Sequence, residues 1–322
     1  MTIKSRIFRS SKRSFDCQRL DTKELVQATA LAALLKEDHM VVGDWVELIP
    51  PPQVGQEWVI EKVHPRTNSI FRNLPREQKK KVIASNVDVM MVVVSAGKPE
   101  YKRGLVDRYL VRSGYWDVPA FLVFNKMDLH DPEDFDLKFE ADRLKHLNVE
   151  CFEVSSVDPS YTPEYLPQGF KELDTKLNGK TTILLGHSGV GKSKLITALS
   201  NGKVQLLSAD LAKKSSKGAH TTTWAELIDA EHFVLIDSPG VRSMSLSDLT
   251  QEELLQSFPD IQEFATKCKF MSTCKHEENS KGCYFSSLDK SERENQLILS
   301  RLDSFKHILE EVADIPDWQK KP

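Results

Sequence analysis

The sequence predicts a multi-domain protein: a small all-β barrel or sandwich, then an α/β domain, then a mostly helical region. Turn-separated β-rich runs fill residues 25–83, strands and helical patterns alternate over residues 84–245, and residues 246–322 are helical, polar and rich in cysteine. With 322 residues, 40% of them hydrophobic and 28% charged, the chain is long enough for two or three domains.

The composition is that of a soluble globular protein. No apolar run approaches the roughly 20 residues that span a bilayer, and the N-terminus lacks the apolar core of a signal peptide. We therefore expect a cytoplasmic protein without a membrane partner. Residues 1–24 are predicted to form a basic extension, because residues 1–19 carry six basic side chains against one acid. Such an extension is either a solvated leader or an arm that neutralises nucleic-acid phosphates.

Each part has its own pattern of predicted elements. Strands at 40–45, 46–49 and 58–63, with prolines between them, form the β region. In the α/β domain, the near-continuous apolar strand 87–94 is typical of a parallel sheet buried on both faces. The other predicted elements are strands 120–124, 150–154 and 181–185, a hairpin of 224–228 with 232–236, and helices at 104–113, 137–147, 170–177, 194–199 and 288–312.

The strongest motif is a P-loop, Gly-x-x-x-x-Gly-Lys-Ser, between a predicted strand and a predicted helix. Gly186 and Gly191 permit backbone torsions that let successive N–H groups point at phosphate oxygens. Lys192 is predicted to reach the β and γ phosphates, and Ser193 to bind Mg²⁺. The residues expected to form this phosphate site are Gly186, His187, Ser188, Gly189, Val190, Gly191, Lys192, Ser193 and Lys194.

Asn125-Lys126-x-Asp128, at the end of the strand 120–124, predicts a guanine site. The Asp128 carboxylate can accept hydrogen bonds from guanine N1–H and its amine, which adenine does not offer, so GTP is selected over ATP. Asn125 is expected to tie this loop to the P-loop, and the Lys126 stem to cover the base. Ser155 and Ser156, after the next strand, suit the loop whose backbone N–H contacts guanine O6.

The motif Asp237-Ser238-Pro239-Gly240 lies at the end of the last predicted strand, and we expect it to form the loop that contacts the γ-phosphate. Asp237 is expected to hold Mg²⁺ through a water, and Gly240 to donate its N–H to the γ-phosphate. The preceding segment 217–223 is predicted to be a switch loop in which Thr222, or failing that Thr223, binds Mg²⁺.

The residue that orients the attacking water is not evident. Val241 follows Gly240, and valine cannot orient a water as glutamine does in Ras-like enzymes. His220 is the candidate for orienting the water; the alternative is that His220 is an exposed residue with no catalytic role. The predicted catalytic set is therefore Lys192, His220 and Thr222, and we expect slow intrinsic turnover.

The order of these motifs predicts a circularly permuted domain. The guanine motif precedes the P-loop, whereas ordinary GTPases have the reverse order. Joining the natural ends and reopening the chain after the metal-site loop gives this order without moving a strand. The γ-phosphate loop then leads directly into the helical region, so we hypothesise that GTP orders residues 213–223 and 237–245 and fixes the flanking domains.

A cysteine and histidine cluster in the third region predicts one structural zinc ion. Cys268, Cys274, His276 and Cys283 fall within sixteen residues and supply a Cys₃His set suited to tetrahedral zinc. A metal is expected over disulfides, because a cytoplasmic location disfavours disulfides, with clustered free cysteines as the alternative.

Taken together, the chain resembles the RsgA/YjeQ family over residues 25–313. The resemblance rests on the permuted motifs, Val42-Gly43-Asp44-Trp45-Val46, His64-Pro65-Arg66, the loop Gly-Ala-His-Thr-Thr-Thr, and Cys-x₅-Cys-x-His-x₆-Cys. It implies an OB-fold, a permuted P-loop GTPase domain and a zinc domain, in that order. This sequence departs from the family by one extra residue in each metal loop and by Ser156 in place of alanine.

The resemblance also implies a function. It indicates a protein that is active late in small-subunit (30S) assembly, binds the subunit and its rRNA, is stimulated by the ribosome, and carries Mg²⁺ with GTP or GDP. We expect a monomer. Two alternatives stay open: an RNA-binding scaffold with a static structural nucleotide, and a permuted GTPase of large-subunit assembly.

Overall fold

The structure is a computed structural model of the 322-residue chain. It describes residues 2–11, 13–37, 40–53, 55–74, 79–204, 225–237, 246–270, 274, 276–277 and 279–313.

Five strands close a small barrel at the N-terminus. They run in the order β1-β2-β3-β5-β4, and β1 also pairs with β4, as expected of an OB-fold. Alternate side chains point inward, and Ile7, Phe15, Val46, Leu48 and Ile60 form its core. The elements are β1 (Ile3–Ser10), β2 (Phe15–Arg19), β3 (Leu25–Ala30), the short α1 (Leu34–Glu37), β4 (Trp45–Ile49) and β5 (Trp58–Val63).

The predicted basic extension is wrong, because β1 (Ile3–Ser10) and β2 (Phe15–Arg19) are strands of the barrel. Both arginine side chains of β1 bind the α/β domain: Arg6 is buried against it, and Arg9 pairs with it while remaining partly exposed. The buried Arg6 guanidinium donates to Thr181 Oγ1 at 2.7 Å and to the Asn86 carbonyl oxygen at 2.9 Å. Burial lowers the pKa of Arg6 to about 10, while Asp88 and Asp44 oppose that shift. Arg9 binds Glu226, where β1 adds to the edge of the large sheet.

The barrel also ends earlier than residue 83. Strands β6 (Ser69–Leu74) and β7 (Lys79–Ser85) form a separate two-stranded sheet. This ribbon packs against the α/β domain, where Trp116 Nε1 donates to the Phe71 carbonyl oxygen at 3.1 Å. The predicted strand 40–45 begins only at Trp45, because Gly43 turns the chain with φ of +94°.

The α/β domain is a six-stranded sheet in the order β10-β9-β8-β11-β13-β12. Its pairings are parallel except for β12 with β13, which form the predicted hairpin. Alternate residues of β8 enter the two cores on opposite faces of the sheet. The elements are β8 (Val89–Ser95), α2 (Arg103–Trp116), β9 (Ala120–Asn125), α3 (Leu137–Asp142), β10 (Glu150–Glu153), α4 (Phe170–Leu177), β11 (Thr181–Leu185), α5 (Lys192–Leu199), β12 (Glu226–Asp229) and β13 (Val234–Asp237).

The sheet shows how a permuted chain builds one site. Strand β11, which leads into the P-loop, lies between β8 and β13, although β8, β9 and β10 all precede it in the chain. Because these strands are parallel, the loops after β9, β10, β11 and β13 meet at one edge. That edge carries the nucleotide-motif residues that the structure describes: the guanine motif after β9, Ser155 and Ser156 after β10, the P-loop after β11, and Asp237 at the end of β13.

Within its described residues, the C-terminal region has three α-helices: α6 (Gln251–Gln256), α7 (Pro259–Ala265) and α8 (Arg293–Ala313). Thr250 caps α6, accepting the Glu253 N–H at 3.2 Å while the Glu253 carboxylate accepts the Thr250 N–H at 2.8 Å. Leu254, Phe258 and Ile308 belong to their shared core. Among the helices of the described ranges, none combines the length and the apolar composition that crossing a bilayer demands.

Candidate nucleotide site and metal site

Two P-loop positions require glycine, because their backbone torsions are unfavourable for other residues and because a Cβ atom would clash with neighbouring atoms. Gly186 has φ of +140°, and a Cβ there would lie 2.2 Å from the Val93 carbonyl oxygen. Gly191 has φ of +94°, and its Cβ would lie 2.4 Å from Asn125 Nδ2. Helix α5 begins at the next residue, Lys192, and directs its N-terminal N–H groups toward the loop.

Lys192 lies over the loop that it is predicted to complete. Its Nζ donates to the carbonyl oxygens of Gly186 and His187, each at 2.7 Å. Ser193, the predicted Mg²⁺ ligand, is exposed at the first turn of α5. A pocket brings these P-loop residues together with Asp237 at the end of β13 and Ser156 after β10. This arrangement can hold an anion beside a cation.

Asn125 physically links the two nucleotide motifs. Its side chain is fully buried at the end of β9. Nδ2 donates to the Val190 carbonyl oxygen in the P-loop at 2.9 Å, and Oδ1 accepts the Ser156 N–H at 2.9 Å. One side chain therefore fixes the P-loop, the guanine motif and the loop after β10 relative to one another.

Asp128 is exposed, and its carboxylate is oriented by a buried neighbour. Ser155 Oγ donates to Asp128 Oδ1 at 2.7 Å and accepts the Asp158 N–H at 3.3 Å. The sequence assigned Ser155 a backbone role only, so this use of its hydroxyl was missed. Lys126 has φ of +64°, and its Nζ donates to the Lys98 carbonyl oxygen at 2.6 Å.

Glu153 is a second residue that the sequence analysis missed. Its buried carboxylate accepts the Tyr161 hydroxyl at 2.7 Å. It also accepts the backbone N–H groups of Glu164, Tyr165 and Leu166 at 2.8 to 2.9 Å. Burial raises the pKa of Tyr161, and the neighbouring Glu153 carboxylate raises it further. The available signal was an acid at the end of an apolar strand, two residues before the predicted base loop.

Several predicted residues lie outside the part of the chain that the structure describes. These are His220, Thr222, Thr223, Gly240 and Val241. The switch segments 213–223 and 238–245 fall there as well, so their roles remain predictions. Of the predicted Mg²⁺ ligands, Ser193 and Asp237 are described, and both line the pocket.

The four predicted zinc ligands come together. The ligand atoms of Cys268, Cys274, His276 and Cys283 all lie within 4.8 Å of one another. His276 Nδ1 is 3.6 Å from Cys268 Sγ and 3.8 Å from Cys283 Sγ. Zn–S bonds of about 2.3 Å and Zn–N bonds of about 2.0 Å in a tetrahedron separate S and N by about 3.5 Å. The residues therefore fit zinc despite the longer loops.

The surroundings of the cluster suit metal binding. Burial, with the nearby Lys306, lowers the pKa of His276 and favours the neutral imidazole that a metal needs. Burial raises the pKa of Cys268 to about 11. At Cys283 burial also acts upward, but hydrogen bonds from Ser286 and its neighbours outweigh it and lower the pKa of the thiol. Lys306 of α8 donates to the His276 carbonyl oxygen and ties the cluster to the helices.

Comparison with known proteins agrees with the nucleotide site and the metal site described above. The model of the RsgA GTPase family matches residues 63–247, and that of the 50S ribosome-binding GTPase family matches residues 181–317. A Porphyromonas gingivalis protein named small ribosomal subunit biogenesis GTPase RsgA is 32% identical over 87% of both chains. A Pectobacterium carotovorum protein of the same name is 34% identical over 86% of this chain and 76% of its own.

Solved structures agree in fold. YjeQ from Thermotoga maritima superposes with a TM-score of 0.72 at 25% identity, over 98% of this chain and all of that one. YloQ, described as a circularly permuted GTPase, gives a TM-score of 0.71 at 22% identity, over 98% of this chain and 97% of that one. The matched motifs, the permuted sheet and the Cys₃His cluster lead to one conclusion: the chain belongs to the RsgA GTPase family.

Proposed function

We propose that the protein hydrolyses GTP to GDP and phosphate and acts late in assembly of the small ribosomal subunit. The observation that carries the proposal is the position of Asn125 between the guanine motif and the P-loop. A ligand that satisfies both loops has a guanine at one end and phosphates at the other. Two relatives named for small-subunit biogenesis support the choice of particle.

In this proposal each loop has one task. The backbone N–H groups of residues 186–194 cradle the phosphates, and the Lys192 ammonium neutralises the β and γ phosphates. Asp128 pairs with guanine. A bound Mg²⁺ would supply positive charge that offsets the negative charge of the phosphates. Ser193, Thr222 and, through a water, Asp237 would hold it.

Hydrolysis requires water to attack the γ phosphorus while the bond to the β–γ bridging oxygen breaks. His220 is the proposed water-orienting residue, and Gly240 the proposed backbone donor to the γ-phosphate. Because valine follows Gly240, we expect slow turnover until a partner completes the site. We propose that this partner is the small subunit with its rRNA, bound by a monomeric, cytoplasmic protein through the barrel and the zinc region.

The test is GTP hydrolysis by wild-type, Lys192→Ala and His220→Ala proteins, with and without purified small subunits. We expect stimulation of the wild type, near-background turnover for Lys192→Ala, and a loss of the stimulated rate for His220→Ala. Lys171→Ala, an exposed lysine of α4, serves as the matched control. Equal use of ATP and GTP, or no binding of either, would refute the proposal.

A second candidate, action on the large subunit, has one observation in its favour. The match to the 50S ribosome-binding GTPase family covers residues 181–317, from the P-loop strand onward. It omits the barrel and the guanine motif, and the family that covers residues 63–247 is the RsgA one. Sedimentation with separated subunits in the presence of a non-hydrolysable GTP analogue discriminates the two. If the protein bound the small subunit equally well with GDP and with the analogue, the nucleotide would not control subunit binding. That result would favour an RNA-binding scaffold with a static structural nucleotide.

A further inference from the structure

Helix α2 touches the nucleotide pocket and the C-terminal helices with two different faces. Leu105 and Tyr109, one helical turn apart, line the pocket together with Gly186 of the P-loop. Tyr109 is only 4% exposed, so its position is fixed by packing. Neither residue belongs to a sequence motif for nucleotide binding.

The other face of α2 is held by buried ion pairs. The Asp107 carboxylate accepts from Arg301 Nη1 of α8 at 2.7 Å. Arg143, after α3, donates to the same carboxylate at 3.0 and 3.1 Å. Arg301 Nε also donates to Asp260 of α7 at 2.6 Å, and all four side chains are almost fully buried.

Two further ion pairs extend this contact along α2. Arg112 binds Asp248, just before α6, through both guanidinium nitrogens. Arg108 binds Glu311 near the end of α8. Breaking a buried ion pair strongly destabilises the folded protein, because one charge is left buried without a partner. These ion pairs therefore restrain α2, α7 and α8 to one arrangement.

We propose that Tyr109 is a positioning residue for the P-loop, and that the C-terminal helices act on the nucleotide pocket through α2. This inference rests on the proposed nucleotide role of the P-loop. The route runs from Arg301 to Asp107, across α2 to Tyr109 two residues further along, and then to the pocket wall that Tyr109 shares with Gly186. It does not use the switch segments, which follow the P-loop in sequence.

The environment of Tyr109 supports the contact with Gly186. Burial raises the pKa of Tyr109, while the Gly186 backbone amide acts in the opposite direction. The phenol is therefore neutral at physiological pH, and Tyr109 shares the wall of the pocket with the first P-loop glycine. That glycine is also confined from the other side, since a Cβ on it would clash with the Val93 carbonyl oxygen.

A double-mutant cycle tests the coupling on the full-length protein. The dissociation constant for GDP is measured by calorimetry for the wild type, Tyr109→Phe, Arg301→Gln and the double variant. Loss of the Tyr109 hydroxyl should weaken binding about 2- to 10-fold, the effect of one hydrogen bond. Arg301→Gln should weaken binding in the wild-type background but not further in the Tyr109→Phe background.

The controls separate positioning from folding. Calorimetry reports the binding-competent fraction apart from the affinity, so irreversibly misfolded protein lowers the first without changing the second. Reversible unfolding would weaken the apparent affinity, so thermal unfolding of each variant checks that it is folded at the titration temperature. Arg293→Gln removes an exposed α8 ion pair to Asp136, next to α3, and should leave the affinity unchanged. If Arg301→Gln does not fold, Arg108→Gln replaces it, because that ion pair is partly exposed. We expect this milder variant to weaken binding about twofold, again only when Tyr109 is present.

Additive effects of the two substitutions, or an unchanged affinity in folded Arg301→Gln or its replacement, would overturn the coupling alone. Absence of guanine nucleotide binding by the wild type would overturn the proposed function and this inference with it. An unchanged affinity in Tyr109→Phe would show that the hydroxyl does not position the P-loop.

Discussion

Substitution of Asn125 gives the sharpest test of the nucleotide site. Asn125→Ala removes both hydrogen bonds and leaves the Val190 carbonyl oxygen and the Ser156 N–H without their partner. Each buried group left unpaired costs about 1–3 kcal/mol. Because Ser156 lines the pocket, where water can replace the lost acceptor, we expect a loss near the lower end, about 2–3 kcal/mol in the free energy of unfolding.

The effect on GDP binding should be larger than the effect on folding. Without Asn125 the guanine loop and the P-loop are no longer held at a fixed distance from each other. A misplacement that costs about 1.4 kcal/mol of binding free energy already raises the dissociation constant tenfold. We expect at least a tenfold loss of affinity. Urea unfolding followed by tryptophan fluorescence and calorimetric titration with GDP measure the two quantities.

Two further variants make the test specific. Asn125→Asp keeps the acceptor for the Ser156 N–H but places a carboxylate oxygen against the Val190 carbonyl oxygen, so its affinity should fall at least as far. Asn178→Ala, at the exposed end of α4, is the control and should behave as the wild type. Asn125→Ala with GDP affinity within twofold of the wild type would refute the reasoning.

The remaining predictions concern four other positions. Gly191→Ala should abolish GDP binding, because its Cβ would lie 2.4 Å from an Asn125 nitrogen, and calorimetry checks this. Asp128→Asn should lower GTP affinity about 100-fold and raise XTP affinity, since asparagine offers xanthine a donor and an acceptor; unchanged GTP preference would contradict it. Cys274→Ser, or chelation of zinc, should lower thermal stability and helicity by circular dichroism, because a bound zinc would hold the four ligand residues together; metal content by mass spectrometry must fall in parallel. Glu153→Gln should destabilise the protein by about 1–3 kcal/mol in urea unfolding, since an amide donor then faces backbone N–H donors; a loss below 0.5 kcal/mol would contradict this role.

The strand positions, the parallel sheet and the link between the motifs were predictable from sequence because local signals fix them. An apolar run such as β8 and glycines such as Gly186 and Gly191 admit few conformations, and the motif spacing places each loop after a strand. The Cys₃His set likewise points to one metal chemistry, which the distances around His276 fit.

The parts that sequence reasoning missed depend on partners distant in the chain. The charges of β1 resemble a solvated tail until the acceptors of Arg6 are known, and those belong to another domain. Asp107 and Arg301 are ordinary charged residues of two amphipathic helices in the sequence, and only packing shows that each neutralises the other. Tyr109 lies in no motif, because its contact with the pocket is made from a neighbouring helix.

The Arg6 contact bears on how the chain folds during synthesis. Arg6 emerges from the ribosome among the first residues, whereas its hydroxyl acceptor, Thr181, follows 175 positions later. Before that threonine is made, the guanidinium can bind the carbonyl oxygens of Gly43 and Asn86, but the nitrogen that donates to Thr181 has to remain hydrated. The contact between the barrel and the α/β domain is therefore completed only after more than half of the chain has been synthesised.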